Sequence, residues 1–264
     1  MGNTAAKIIE NCWLFYWNVS HLVLFSNHAK SKPQGGTELK RRINKWVLGF
    51  IILLCILATG QTLSAQSKGQ VLMILRAGMG SDAGFGVVDY AIIKEYGVMR
   101  TTLDGAGFNV VVATIDGRPV SGKSLTIAAD TKFSDVKIAD YKGLLLPCMD
   151  AAADPFEAVS IVKSALAAGV PVAAQNGGVF LLSMAGGLKG KNFAMADYFI
   201  TGEGKQWFNS GGGIYKGEGV VEDGKIVTSG ICPVYGTIVQ KYFSKPPVPD
   251  GTLELTQKLI ALMQ

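Results

Sequence analysis

Short apolar runs alternate with longer amphipathic stretches over residues 66–264 of the chain. Apolar runs between turn residues are typical of strands that are buried on both faces of a parallel sheet. The pattern predicts strands at residues 71–75, 108–113, 141–147, 170–174, 191–195 and 219–229, the last as a hairpin that turns at Asp223-Gly224. It predicts helices at residues 87–104, 155–168, 177–186, 234–243 and 252–263. Strands that alternate with helices indicate an α/β fold, with a mostly parallel, doubly wound sheet sandwiched by helices.

Residues 1–65 follow a different pattern. Basic residues at 40–45 precede an apolar run from Trp46 to Ala58, and small residues follow up to Ala65, which is the order of a secretory signal peptide. The run has 13 residues, whereas a membrane-spanning helix needs roughly 20. We therefore expect a signal peptide at residues 40–65 and an exported protein, periplasmic or extracellular. A chain anchored in the membrane by the uncleaved signal is the alternative.

The segment before the predicted signal, residues 1–39, has aromatic residues without a clear period. It is either an uncertain extension or the product of a start codon assigned too far upstream. Residues 66–264 remain as the folded domain, which is long enough for a sizeable core.

The net charge of +5 comes entirely from residues 1–65, which hold seven of the 25 Lys/Arg and two of the 20 Asp/Glu. The rest of the chain therefore carries 18 charges of each sign and is neutral. Nucleic-acid binding requires a basic surface on the folded domain, so we expect no nucleic-acid partner. We expect membrane contact only through an uncleaved signal.

The residues that support common catalytic chemistry are few. Both histidines, His21 and His28, lie in residues 1–65. The predicted domain therefore has no Ser–His or Cys–His pair and no histidine metal site, and we expect neither a metal nor a cofactor. It has two cysteines, Cys148 and Cys232. A disulfide between them and two free thiols are both open alternatives.

Residues 171–180, with the sequence PVAAQNGGVF, predict a buried strand, a sharp turn and the start of a helix. This is the layout of a nucleophile elbow, in which a strained turn lifts one side chain into a pocket. The tip is Asn176, and an amide is a poor nucleophile. Asn tolerates strained backbone and can also contact a ligand, and both roles stay open. The N–H groups of Gly177 and Gly178, at a helix start, can bind a carboxylate or another anion.

Four short strings stand in the same order as in a known family: residues 140–147 (DYKGLLLP), 174–178 (AQNGG), 187–191 (GLKGK) and 222–229 (EDGKIVTS). With these strings, the chain from Gly69 onwards resembles the ThiJ/PfpI family, which has a class I glutamine amidotransferase-like, flavodoxin-like fold. Glu95 stands 12 residues before Gly107, the spacing of the family's acid, which hydrogen-bonds the nucleophilic cysteine. Because the family often dimerises, the resemblance also implies a homodimer.

The chain departs from the family at the catalytic positions. Asn176 replaces the cysteine, Gly177 replaces the histidine that follows it, and the family's later histidine falls near Met195. Cys148 replaces the first glycine of the P-G-G string, whose loop helps to build the oxyanion site. Glu95 is the catalytic element that is retained.

The resemblance and these departures imply a protein that binds a small polar or carbonyl-bearing molecule without covalent chemistry. The ligand-binding residues we expect are Glu95, Cys148, Met149, Asn176, Gly177 and Gly178. The alternative is an enzyme of the amidase, hydratase or glyoxalase kind that uses Cys148 or Glu95 as its catalytic residue. Cys148 lies just past the carboxyl end of a predicted central strand, where ligands bind in open α/β sheets.

Overall fold

A seven-stranded sheet lies at the centre of the computed structural model, which describes residues 67–75, 87–148, 155–242 and 249–264. The strands in chain order are β1 (Gln70–Ile74), β2 (Asn109–Thr114), β3 (Val120–Ser121), β4 (Thr126–Ile127), β5 (Thr131–Lys132), β6 (Tyr141–Leu146), β7 (Val172–Gln175), β8 (Asn192–Phe193), β9 (Ile214–Tyr215), β10 (Val220–Asp223) and β11 (Ile226–Ser229). The order in the central sheet is β10-β11-β7-β6-β1-β2-β5. All of its pairs are parallel except β10 with β11.

The helices are α1 (Val87–Ala91), α2 (Gly97–Gly105), α3 (Pro155–Ala167), α4 (Gly177–Met184), α5 (Gly202–Ser210), α6 (Pro233–Tyr242) and α7 (Thr252–Leu262). A π-helical segment, Ile92–Tyr96, joins α1 directly to α2. Within the described ranges, no helix is long and apolar enough to cross a membrane.

Alternate residues of the central strands pack on opposite faces of the sheet, as the two-residue repeat of a strand requires. On β1, Leu72 and Ile74 join the core beneath α3 and α4. Val71 and Met73 join the core on the other face, beneath α2 and α7. Both faces are therefore covered by helices, and the predicted fold, a mostly parallel sheet sandwiched by helices, is confirmed.

Several elements differ from the sequence prediction. The strand predicted at residues 191–195 is only the two-residue β8, which pairs with β9 outside the central sheet. The helix predicted at residues 87–104 is interrupted by the π-helical segment. Helix α5, the pair β3–β4 and strand β9 were not predicted. The two-residue strands leave no periodic pattern.

The candidate site is positioned by a reversal in the winding of the sheet. Strand β2 pairs with one side of β1, and β6 pairs with the other. Crossovers on opposite sides open a crevice at the carboxyl ends of such strands, where open α/β sheets bind their ligands. The segments that follow β1, β6 and β7 along the chain carry Glu95, Cys148 and Asn176, respectively.

Two expectations concern residues that the structure does not describe. The predicted signal peptide at 40–65 and the segment 1–39 lie outside the described residues. Met149, expected to contact a ligand, also lies outside them.

Candidate functional site

Asn176 forms a strained turn between β7 and α4. Its backbone angles are φ 44° and ψ −103°, and it is the one non-glycine residue with positive φ in the described part of the chain. The Asn176 N–H donates to the Ser229 carbonyl at 2.7 Å, and the Asn176 carbonyl accepts from Val179 N–H at 2.9 Å. The surrounding backbone thus holds a conformation that costs of order 1–3 kcal/mol, in the form of an elbow.

Gly178 allows the start of α4 to approach β6. A Cβ atom at this position would lie 2.1 Å from the Leu146 carbonyl oxygen, well inside van der Waals contact. The glycine after the turn is therefore required by the close packing of helix and strand, independently of any ligand.

The Asn176 side chain joins two loops of the site. Its Nδ2 donates to the Gly230 carbonyl at 2.8 Å, and its Oδ1 accepts from the Cys148 thiol at 3.6 Å. The residue is 4% exposed, so the amide is buried in the protein. Of the two contacts, the one from sulfur is the weaker, because a thiol is a poor donor.

Glu95 reaches the site because it lies on the π-helical segment. Ile92 and Glu95 are buried, whereas Ile93, between them, is 56% exposed. A π-helical turn inserts a residue into the α-helical repeat and redirects the side chains around it, and such turns are frequent at functional sites. The Glu95 side chain is fully buried, and its Oε1 accepts from Cys148 N–H at 2.6 Å.

The sulfur of Cys148 occupies the space beside the elbow tip. The Gly177 N–H donates to this sulfur, while the Cys148 N–H is bound by Glu95. The N–H groups of Cys148 and Gly177 are thus engaged within the protein. The pKa of the Cys148 thiol is raised well above its usual value, first by its hydrogen bond to Cys232, then by burial and by the negative charge of Glu95. The thiol is therefore protonated at neutral pH.

Cys232 meets Cys148 from the opposite side of the elbow. It is fully buried and lies between β11 and α6, where its sulfur accepts the N–H of Tyr235 at 3.3 Å. This is the hydrogen bond of a helix N-cap. Cys232 is the first of the groups that raise the pKa of the Cys148 thiol, and both residues are free thiols in this structure.

Met195, near which the resemblance places the family's later histidine, packs against Gly230. It is fully buried, and its backbone packs so closely that a Cβ on Gly230 would lie 2.4 Å from the Met195 carbonyl carbon. The Tyr215 hydroxyl donates its one proton to Asp197, and its oxygen lies 3.2 Å from the Met195 carbonyl oxygen. Burial and the adjacent Asp197 carboxylate raise the pKa of Tyr215.

The structure brings most of the predicted site residues together. Contacts within the site involve Glu95, Cys148, Asn176 and Gly177, and Gly178 packs beneath them. The contribution of Gly230 was not predicted, because its carbonyl acts through the backbone and leaves no residue-type signal. Among the described residues, no group of three or more His, Cys, Asp or Glu side chains could hold a metal ion.

The fold and this geometry define an α/β protein with a strained strand–turn–helix elbow whose tip carries an amide. The DJ-1/PfpI family matches residues 85–234, and the chain belongs to this family.

The chain is similar to several distant relatives. An uncharacterised protein of Archaeoglobus fulgidus is 30% identical over 141 residues, which are 51% of this chain and 78% of the relative. Among solved structures, a ThiJ/PfpI domain protein from Brachyspira murdochii superposes with a TM-score of 0.54 at 16% identity, over 75% of this chain and 98% of its own. A two-domain protein from Anabaena variabilis, with DJ-1/ThiJ/PfpI-like and ferritin-like domains, superposes with a TM-score of 0.51 at 21% identity. This match covers 74% of the present chain and 54% of the Anabaena protein. At these identities the structural matches support the fold alone.

Proposed function

We propose that this DJ-1/PfpI-family protein binds a small polar or carbonyl-bearing molecule at the elbow, without covalent chemistry. The observation that carries the proposal is the strained turn with an amide at its tip. Backbone strain of order 1–3 kcal/mol is retained at Asn176, as is usual at functional sites. An amide at such a position can bind a molecule but cannot attack it.

Two further observations support binding over catalysis. Residues 66–264 contain no histidine to act as a general base. The raised pKa of Cys148 keeps its sulfur in the thiol form, whereas the thiolate is the nucleophile. The site thus lacks an activated nucleophile among the described residues.

The hydrogen bonds of the site indicate how a ligand would bind. The contact from the Cys148 thiol to Asn176 Oδ1 is long, at 3.6 Å, and costs little to replace. A ligand hydroxyl or amide N–H that displaces this thiol would donate to Asn176 Oδ1. The displaced sulfur would also release Gly177 N–H, which would then donate to a carbonyl or carboxylate oxygen of the same ligand.

Thermal unfolding of the full chain tests this proposal with a panel of small aldehydes, α-keto acids and carboxamides. A binding compound raises the melting temperature in proportion to the logarithm of its concentration and is recovered unchanged. Asn176→Ala should abolish the rise. Asn109→Ala is the matched control, because Asn109 is exposed at the amino end of β2, away from the elbow, and should keep the rise. A panel that leaves the melting temperature unchanged would argue against binding of this class.

An enzyme that uses Cys148 is the second candidate. Its sulfur is next to the elbow, receives the Gly177 N–H and lies close enough to Glu95 to be affected by its charge. If a compound of the panel is converted, and Cys148→Ala or Glu95→Gln stops the conversion, the enzyme replaces the binding protein as the function.

Export is also part of the proposal, supported by the basic and apolar pattern of residues 40–65. Cell fractionation followed by amino-terminal sequencing tests it. A mature chain that begins at Gln66 is expected, and a full-length chain in the membrane fraction would favour the uncleaved anchor.

A further inference from the structure

Gln175, the last residue of β7, is a fully buried amide directly before the elbow tip. Its Nε2 donates to the Ile231 carbonyl at 2.8 Å and to the Thr252 hydroxyl at 3.1 Å. The Thr252 hydroxyl in turn donates to Gln175 Oε1 at 3.3 Å. The amide nitrogen and the amide oxygen are thus both bonded within the protein, as buried polar groups require. These bonds reach two separate parts of the chain, the loop after β11 and the first residue of α7.

The Ile231 carbonyl is the point at which the start of α7 also binds this loop. It accepts the Gly251 N–H at 3.0 Å, in addition to the bond from Gln175. A Cβ atom on Gly251 would lie 2.1 Å from Ser229 Oγ, well inside van der Waals contact. The residue before α7 therefore packs directly against the loop, and the position of the loop depends on α7 as well as on β7.

The same loop supplies two acceptors to the elbow tip. The Ser229 carbonyl accepts the Asn176 N–H at 2.7 Å, and the Gly230 carbonyl accepts Asn176 Nδ2 at 2.8 Å. Both acceptors lie within two residues of Ile231, so a displaced loop would move both of them. A strained backbone conformation persists only where the surrounding structure holds it, and at Asn176 this loop is a large part of that structure.

We infer that Gln175 is a positioning residue of the elbow, and that through it the first turn of α7 is part of the site. Gln175 lies on the same sheet face as Ala173, in the core beneath α2 and α7. Burial of an amide in such a core is unfavourable unless its hydrogen bonds are made. An apolar side chain would serve packing alone, so the specific contribution of Gln175 is the set of bonds that fixes the loop.

Amide hydrogen exchange, measured by NMR on the full chain without ligand, tests the positioning role. The Asn176 N–H reports on the elbow. The Leu144 N–H, which donates to the Pro171 carbonyl at the amino end of β7, reports on the rest of the sheet. Global unfolding exposes both amides, whereas a local opening exposes the elbow alone. The ratio of the two exchange rates therefore distinguishes a positioning role from a general loss of stability.

Two variants remove the bonds in question. Gln175→Leu removes the amide, and Thr252→Val removes the hydroxyl and keeps the bond from Gln175 to Ile231. Each should raise the rate of Asn176 exchange relative to Leu144 by about twofold to tenfold, the range that corresponds to one lost hydrogen bond. If Gln175→Leu does not fold, Thr252→Val decides the question.

Two matched controls lie on α7. Thr252→Ser keeps the hydroxyl and should keep the native ratio. Thr256→Val removes an equally buried hydroxyl that binds only within the helix, at 2.7 Å from the Thr252 carbonyl, and should also keep it. A native ratio in every folded variant that lacks one of the Gln175 bonds, or an equal rise in Thr256→Val, would overturn the inference. A native ratio in Thr252→Val alone would remove α7 from the site.

The consequence for ligand binding rests on the proposed function. If a compound of the panel binds at the elbow, Gln175→Leu should reduce the rise in melting temperature that it causes, and Thr256→Val should not. Because hydrogen exchange is measured without ligand, a failure of the positioning role is distinct from a failure of the proposed binding.

Discussion

Substitution of Asn176 by alanine and by glycine separates the strain of the elbow from the hydrogen bonds of its amide. Both variants lose the contacts to Gly230 and Cys148, a shared loss of about 1 kcal/mol or more. Only alanine keeps a Cβ at φ 44° and ψ −103°. Glycine adopts this conformation freely, so the difference in stability between the two variants reports the strain.

The magnitude of this difference follows from two opposing effects. A side chain held in such a backbone region costs about 1–3 kcal/mol. Glycine, in turn, loses about 0.4–1 kcal/mol relative to alanine through the greater freedom of its unfolded chain. We therefore expect Asn176→Ala to be less stable than Asn176→Gly by about 0.5–2 kcal/mol. In a domain of this size, that corresponds to a few degrees in melting temperature, at about 2–4 °C per kcal/mol.

Urea unfolding followed by circular dichroism measures the difference in free energy of unfolding, provided that the two variants have the same m value. The matched pair is Asn109→Ala and Asn109→Gly at an exposed strand position. There the order should be reversed, because alanine costs no strain in an extended strand and glycine weakens it. Equal stability of the two Asn176 variants, or glycine below alanine at both positions, would refute strain at the elbow.

Three further predictions concern packing and ionisation. Gly178→Ala should destabilise the fold by about 1–3 kcal/mol, since its Cβ would lie 2.1 Å from the Leu146 carbonyl oxygen. Gly105→Ala, where nothing lies within 4 Å, should leave the urea midpoint unchanged or raise it. The rate of Cys148 alkylation should still rise above pH 9, because its pKa is raised; a plateau near neutral pH would contradict this. The pKa of Asp223 is lowered, first by the Asn192 N–H. The stability that ionised Asp223 contributes to the fold is therefore present above the ordinary carboxyl pKa, and it is lost as pH falls through the lowered pKa. On acidification below about pH 4, the free energy of unfolding of Asp223→Asn should accordingly fall less than that of the native chain.

The parallel core and the elbow could be predicted because both leave local signals in the sequence. Continuous apolar runs such as residues 144–146 correspond to strands buried on both faces. The strand–Asn–Gly–Gly–helix order at residues 172–178 corresponds to the turn that the structure contains. These signals depend on neighbouring residues, so a single sequence is sufficient to detect them.

The remaining features depend on contacts between distant parts of the chain. Nothing local indicates that Cys148 and Gly230, 82 residues apart in the sequence, both bind the amide of Asn176. The complete burial of Glu95 was not predicted, since a glutamate in a helix is ordinarily exposed. Its inward position comes from the π-helical segment Ile92–Tyr96, whose hydrogen-bond pattern has no signature in the apolar repeat.

The contacts of Asn176 also determine when the elbow forms during folding. Its side chain binds Cys148, 28 residues earlier, and Gly230, 54 residues later, and its N–H binds the end of β11. The strained turn is thus supported only once β6, β7 and β11 have assembled, and such long-range pairings are slow to form. Asn176 substitutions should therefore accelerate unfolding and leave the folding rate almost unchanged. A partly folded chain has no elbow, and only the completed fold has the site.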